Sequence, residues 1–263
     1  MIALAAAGLA SAPAAPSPRA AIGAFLIFCR VGACFMLAPG LSNGKIPAQA
    51  RLFVALAVAL SLAPILIDKF PAEAFTDDPI LDCKLIAVEL LVGGMIGALA
   101  RLFLLALETL ATGVAEMLGF SNPFGVEIEP NEALPPLAAL ISFAAVTLLF
   151  VADLHVELIR GLAASYDVVP VGLDFNARFA LKQVADALGE SFRLSLRVAS
   201  PFVIYALVVN LALALINRLT PQIQVFFIAT PFLVAGGLIL LYFTIRPAIE
   251  AFLAGFAAWL VSG

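Results

Sequence analysis

Charge is scarce in this sequence. Of 263 residues, 14 are Lys or Arg and 18 are Asp or Glu, for a formal net charge of −4. A chain so poor in charge has too few polar residues to cover a core against water. Nothing in it resembles the basic patch that neutralises a nucleic-acid backbone, so the reading is of a protein with no nucleic-acid partner. Histidine is reduced to His155, and the three cysteines, Cys29, Cys34 and Cys83, form no C-x-x-C pair. That inventory argues against a structural metal site and implies no cofactor. Asp153, His155 and Ser165 supply the residue types of a hydrolase triad without its motif context, so the chain does not read as an enzyme.

What is abundant is apolar sequence. Hydrophobic residues make up 63% of the chain, and mean hydropathy is +1.12. Apolar runs lie at 20–44, 52–67, 85–112, 134–152, 198–217 and 225–245, with a tail from Ala251. Lipid offers no water to unpaired backbone groups, and these lengths suit helices, so the fold class is an all-α membrane protein with about six apolar helical segments. The run from 85 to 112 would be about 40 Å long as one straight helix, against a hydrocarbon slab of about 30 Å. Part of it must therefore tilt, break or leave the lipid. Residues 1–19 lack the Lys or Arg that precedes the apolar part of a secretory signal and read as a flexible N-terminal arm, with a cleaved signal as the weaker alternative, followed by a single helical domain over 20–263.

Loop charges give no consistent orientation. Lys45 and Arg51 in the first connection suggest the cytoplasm, yet the connection two further on carries Glu116, Glu127, Glu129 and Glu132 without a Lys or Arg. Simple alternating crossings do not explain that pattern.

Several runs are interrupted by residues that lipid tolerates poorly. Arg30, Glu89, Arg101 and Glu108 sit in or near apolar stretches, where an ionised group at mid-bilayer costs roughly 2.5–3.5 kcal/mol or more. Each needs a partner or water: either as buried ion pairs at protein interfaces or as part of a transport path. Arg101 and Glu108 are seven residues apart and share a helix face, so a direct pair needs extended side chains. Gly93, Gly94, Gly97, Gly236 and Gly237 allow close helix approach or a hinge. Pro201, Pro221 and Pro231 are expected to kink or split the last two runs. Between 153 and 199 the chain turns amphipathic. Lys182, Asp186, Glu190, Arg193 and Arg197 fall on one stripe, with Lys182 and Asp186 expected in i,i+4 contact and Glu190 near Arg193, as a solvated face or a polar seam toward a partner.

The stretch 113–136 combines Gly, Met, Phe, Asn-Pro and four glutamates between two long apolar runs. Around Met117-Leu118-Gly119-Phe120 it is too apolar for a solvated loop and too broken for a spanning helix. It reads either as a closure folded into a pore or as an irregular loop packed on its own subunit.

An ordered set of segments resembles the FliR family, the export-gate subunit of flagellar type III secretion, whose injectisome counterpart is the SctT family. The set begins with Arg30, Ala38-Pro39 and Ile46-Pro47-Ala48-Gln49-Ala50-Arg51, then Glu89 with Gly93 and Gly97. It continues through Gly113 and Glu116-Met117-Leu118-Gly119-Phe120-Ser121, then Leu149-Phe150, His155, and Ser165 leading to Val169-Pro170-Val171-Gly172. It closes with Asn210, Arg218-Leu219-Thr220-Pro221-Gln222-Ile223-Gln224-Val225-Phe226, Pro231 and Gly236-Gly237. Leu154, Gln224, Ala229 and Glu129-Pro130 depart from the family's usual residues.

The resemblance implies broken helical hairpins in a subunit that looks like a fusion of the FliP and FliQ folds, set in a helical assembly. It implies FliP-like and FliQ-like partners, an FlhB-like subunit, unfolded export substrates and membrane lipid around it. It places the chain in the bacterial inner membrane at the base of the flagellar basal body. It also implies a channel plug formed by Gly113, Glu116, Met117, Leu118, Gly119, Phe120 and Ser121. Arg30, Glu89, Gly93, Gly97, Arg101, Glu108, Arg193, Arg197, Arg218 and Pro221 are the candidates for subunit packing or a polar seam. A secondary transporter of a small solute is the alternative, with Arg101, Glu108 and the helices near Pro221 and Pro231 as its support.

Overall fold

The computed structural model describes residues 18–42, 46–71, 79–119, 135–172, 177–220 and 225–262. Seven α-helices follow in order: α1 Pro18–Leu37, α2 Ala48–Leu66, α3 Pro79–Met117, α4 Pro136–Val151, α5 Leu154–Val168, α6 Ala177–Leu219 and α7 Val225–Ser262. A single 3₁₀ turn, Ile67–Lys69, extends α2. Among the described residues there is no strand. Among the described residues five helices are long and apolar enough to cross a membrane, or six spans if α4 and α5 together form one.

Helix ends follow local chemistry. Pro79 opens α3 where its missing N–H costs nothing, and Asp82 in the first turn complements the positive end of the helix. At the far end Gly119 takes φ +75° and its N–H bonds the Glu116 carbonyl at 3.1 Å, a glycine stop that only a residue without Cβ adopts freely.

Two expectations change. Pro201 and Pro231 do not split their helices: α6 runs 43 residues through Pro201, and α7 runs 38 residues through Pro231 and Pro247. At Pro201 the reason is visible. The carbonyl of Arg197, which a normal residue 201 would bond, accepts instead from Ser200 Oγ at 2.9 Å. The amphipathic stretch and the apolar run after it are thus one helix. Pro221 lies outside the described residues.

The break falls at Ala152–Asp153, where α4 and α5 meet at 68°. Asp153 turns the chain with φ 56°, a left-handed conformation that Asp tolerates better than most residues.

α3 is the spine, packing against α1, α4 and α6, while α7 lies along α6 and reaches α5. A first core gathers α1, α2, α3 from Leu85 to Leu107, α5, the end of α7 and single faces of α4 and α6. Phe103 of α3 meets Phe256 and Trp259 of α7 there, with centroids 5.5 and 4.8 Å away. A second core joins Val114 and Leu118 at the end of α3 to Ala199, Phe202 and Ala206 of α6. α6 and α7 approach closely at Gly236, where a Cβ would overlap the Tyr205 hydroxyl. That hydroxyl donates to the Leu233 carbonyl at 3.1 Å.

Candidate functional site

Arg30 and Glu89 form a bidentate ion pair inside the protein, with side chains 0% and 1% exposed. Arg30 Nε donates to Glu89 Oε2 at 2.6 Å and Nη2 donates to Oε1 at 2.9 Å. The same guanidinium reaches a third helix: Nη1 donates to Ser165 Oγ at 3.0 Å and Nη2 to the Val169 carbonyl at 3.0 Å. Tyr166 closes the knot. Its hydroxyl donates to Glu89 Oε2 at 3.3 Å, and its ring lies 3.7 Å from the guanidinium carbon. Phe70 covers the other side of that ring, with centroids 5.7 Å apart.

Glycine makes this pairing possible. A Cβ at Gly93 would overlap the Arg30 carbonyl, and one at Gly97 would overlap the carbonyl of Cys34. Both pairs advance by four residues along each chain, so α1 and α3 run parallel with backbones nearly touching. Removing two charges from water costs several kcal/mol per ion, and only fork geometry with further bonds offsets that. Arg30 places its donors on two other helices and the α5 C-terminus, which fixes the register of α1, α3 and α5 together. Tyr166 was invisible to sequence reasoning. Ser165 and Val169 were legible as motif positions only, with no signal that they faced Arg30.

The expected plug divides at the end of α3. Gly113, Glu116 and Met117 belong to its last turns, a regular helix where irregular chain was expected. Leu118 is 0% exposed in the second core, while Met117, the residue before it, is 40% exposed. Gly119 lies near Thr230, Leu233 and Val234 of α7. Asn210 of α6 holds the turn, donating to the Ala206 carbonyl at 2.8 Å and to that of Met117 at 3.5 Å. Phe120 and Ser121 lie outside the described residues.

Across residues 21–258, that is from α1 through nearly all of α7, the chain matches the family model of bacterial export proteins, family 1. The chain belongs to this export family. Its similarity to flagellar biosynthetic protein FliR of Caulobacter vibrioides is 33% identity over 220 residues, 83% of this chain and 86% of that protein. FliR of Escherichia coli K12 is 27% identical over 215 residues, 81% of this chain and 80% of its own length. FliR of Aquifex aeolicus reaches 42% over 85 residues, 32% of this chain and 33% of that protein. Together with the long apolar helices, membership makes this a bacterial membrane protein of the export class.

The other candidate residues of this export-family chain scatter. Arg101 and Glu108 do not pair: Glu108 accepts from Ser142 Oγ of α4, and Arg101 makes no hydrogen bond or ion pair among the described residues. Arg193 bonds Glu190 at 2.9 Å on the exposed face of α6, as their spacing predicted, whereas the expected Lys182–Asp186 pair does not form among the described residues. Arg197 is exposed on the same face, and Arg218 lies exposed in the last turn of α6, where a cation complements the negative helix end. No triad assembles from Asp153, His155 and Ser165. Ser165 Oγ serves Arg30 and donates to the Leu162 carbonyl at 2.7 Å, while His155 Nδ1 has no partner among the described residues.

Proposed function

We propose that the chain is a subunit of the flagellar type III protein export gate, in the bacterial inner membrane at the base of the basal body. With FliP-like and FliQ-like partners it forms a closable channel for unfolded export substrates, and an FlhB-like subunit biases its opening. One observation carries the reading. Leu181 and Leu219, 70% and 81% exposed, stand at opposite ends of α6, about 57 Å apart along one helix. That is nearly twice the roughly 30 Å of hydrocarbon a bilayer supplies. Lipid cannot cover both ends, so sibling subunits must cover part of this apolar surface.

The plug follows from the same reading. Leu118 is the root, held by α6, and Met117 presents a flexible thioether outward beside Gly113, around which there is open space. An unbranched thioether re-packs at low cost, suiting a closure that seals an empty path and yields to a chain. Opening requires contacts that differ between the two states, supplied by the substrate or the FlhB-like partner.

Two supports of the secondary-transporter reading weaken, because Arg101 and Glu108 do not converge and α7 is unbroken at Pro231, while Pro221 lies outside the described residues. Mass measurement of the complex extracted in mild detergent tests the conclusion. The expected result is obligate recovery with two other small membrane proteins. Recovery as a lone protomer that transports a solute after reconstitution overturns it.

A further inference from the structure

α3 has two faces, and its own chain uses one. Gly93 and Gly97 meet α1, and Phe103, Leu107 and Val114 enter the cores. Opposite them runs a second line: Leu91, Gly94, Ala98, Arg101, Leu105 and Glu108, advancing by three, four, three, four and three residues. That alternation is the seam of a helix that packs along a partner helix over several turns. From Leu91 to Leu105 the seam is uncovered, while Glu108 at its end lies against Ser142 of α4. Leu91 is 54% and Leu105 40% exposed, Ala98 is exposed, and a Cβ on Gly94 would touch only the tip of Leu37 at 3.7 Å.

Arg101 sits in the middle of this seam, half-buried and without a partner among the described residues. It is about 33 Å from the start of α3 and about 24 Å from its end. A guanidinium on an apolar face requires an anion. We propose that this seam docks one long apolar helix of a neighbouring subunit, which presents a carboxylate to Arg101. The proposal rests on the export-gate reading and names the face by which the chain enters the assembly.

Three features favour a helix over lipid. Gly94 and Ala98, two turns and one turn before Arg101 on the seam, have small side chains, which bring helix backbones together and are poor surfaces for acyl chains. Glu108, two turns along from Arg101 and already bonded to Ser142 of α4, carries a negative charge that a lipid phosphate would meet with repulsion. A polar residue at a seam position also fixes the register of two helices, which an assembly of unlike subunits requires.

A benzophenone side chain at position 98, in the full chain co-expressed with its sibling subunits, tests the proposal. Illumination is expected to yield an adduct to a membrane protein. Arg101→Glu should reduce that adduct by about tenfold or more, the scale of an unpaired buried charge, and Arg101→Lys should retain most of it. Circular dichroism checks the fold, and if Arg101→Glu loses helix, Arg101→Gln runs the same test without a new charge. Adducts to lipid alone, or a protein adduct indifferent to residue 101, overturn the docking face while a co-purifying complex leaves the export-gate reading standing. Failure of the unmodified chain to assemble with any sibling overturns both.

Discussion

Replacing Glu89 by Ala should be among the most damaging single changes in the protein. The carboxylate is 1% exposed and accepts both prongs of Arg30, which is 0% exposed and cannot reach water. Its loss leaves a buried guanidinium with the Ser165 hydroxyl, the Val169 carbonyl and the face of the Tyr166 ring, none of them charged. Breaking a buried pair by removing one partner costs about 3–5 kcal/mol. The Tyr166 hydroxyl also loses its acceptor, so the upper end of that range is expected. Trp259 is the sole tryptophan and packs 4.8 Å from Phe103 and 5.9 Å from Phe256. Its fluorescence therefore reports on the joint between α3 and α7 during unfolding in mixed micelles. Combining Glu89→Ala with Arg30→Met should cost clearly less than the sum of the two, because the second change removes the stranded charge; a coupling of at least about 2 kcal/mol is expected. A Glu89→Ala loss under about 1 kcal/mol, or strict additivity, would refute the account of the knot.

Neighbouring glycines should behave oppositely. Gly93→Ala drives a Cβ into the Arg30 backbone and should cost about 1–3 kcal/mol or more in the same unfolding assay, whereas Gly94→Ala meets only the tip of Leu37 at 3.7 Å, an ordinary contact, and should change stability by less than about 1 kcal/mol. At the end of α3, Leu118→Gly should destabilise by about 2–5 kcal/mol, because it empties a site in the second core. Met117→Gly, at an exposed position, should leave the detergent-solubilised chain nearly as stable while raising ion leakage through the assembled gate; unchanged conductance argues against a role in closure. Asp153→Gly relieves a left-handed backbone and should be neutral or stabilising, while Asp153→Val should lose about 1–3 kcal/mol, both measured by thermal unfolding.

Much of the fold was written in the chain. Apolar runs longer than any soluble helix needs forced an all-α membrane protein, since only helices satisfy the backbone in lipid at these lengths. Arg30, Glu89, Gly93 and Gly97 were each conspicuous because lipid penalises charge and tight packing rewards glycine. Their union was not legible: Arg30 and Glu89 stand 59 residues apart, and the sequence left open whether each charge met a partner or a water path. Parallel packing of α1 on α3 decided that, and it alone brought Tyr166 and the Val169 carbonyl to the same point. Proline was the reverse case. Pro201 signalled a break, yet the Ser200 hydroxyl took over the freed carbonyl and the helix ran on. The real bend came at Asp153, which carries no such signal. Local chemistry thus determined which segments are helices and which residues needed partners. Tertiary packing decided who the partners are, because a buried charge is satisfied by whatever the fold brings within 3 Å, not by what lies beside it in the chain.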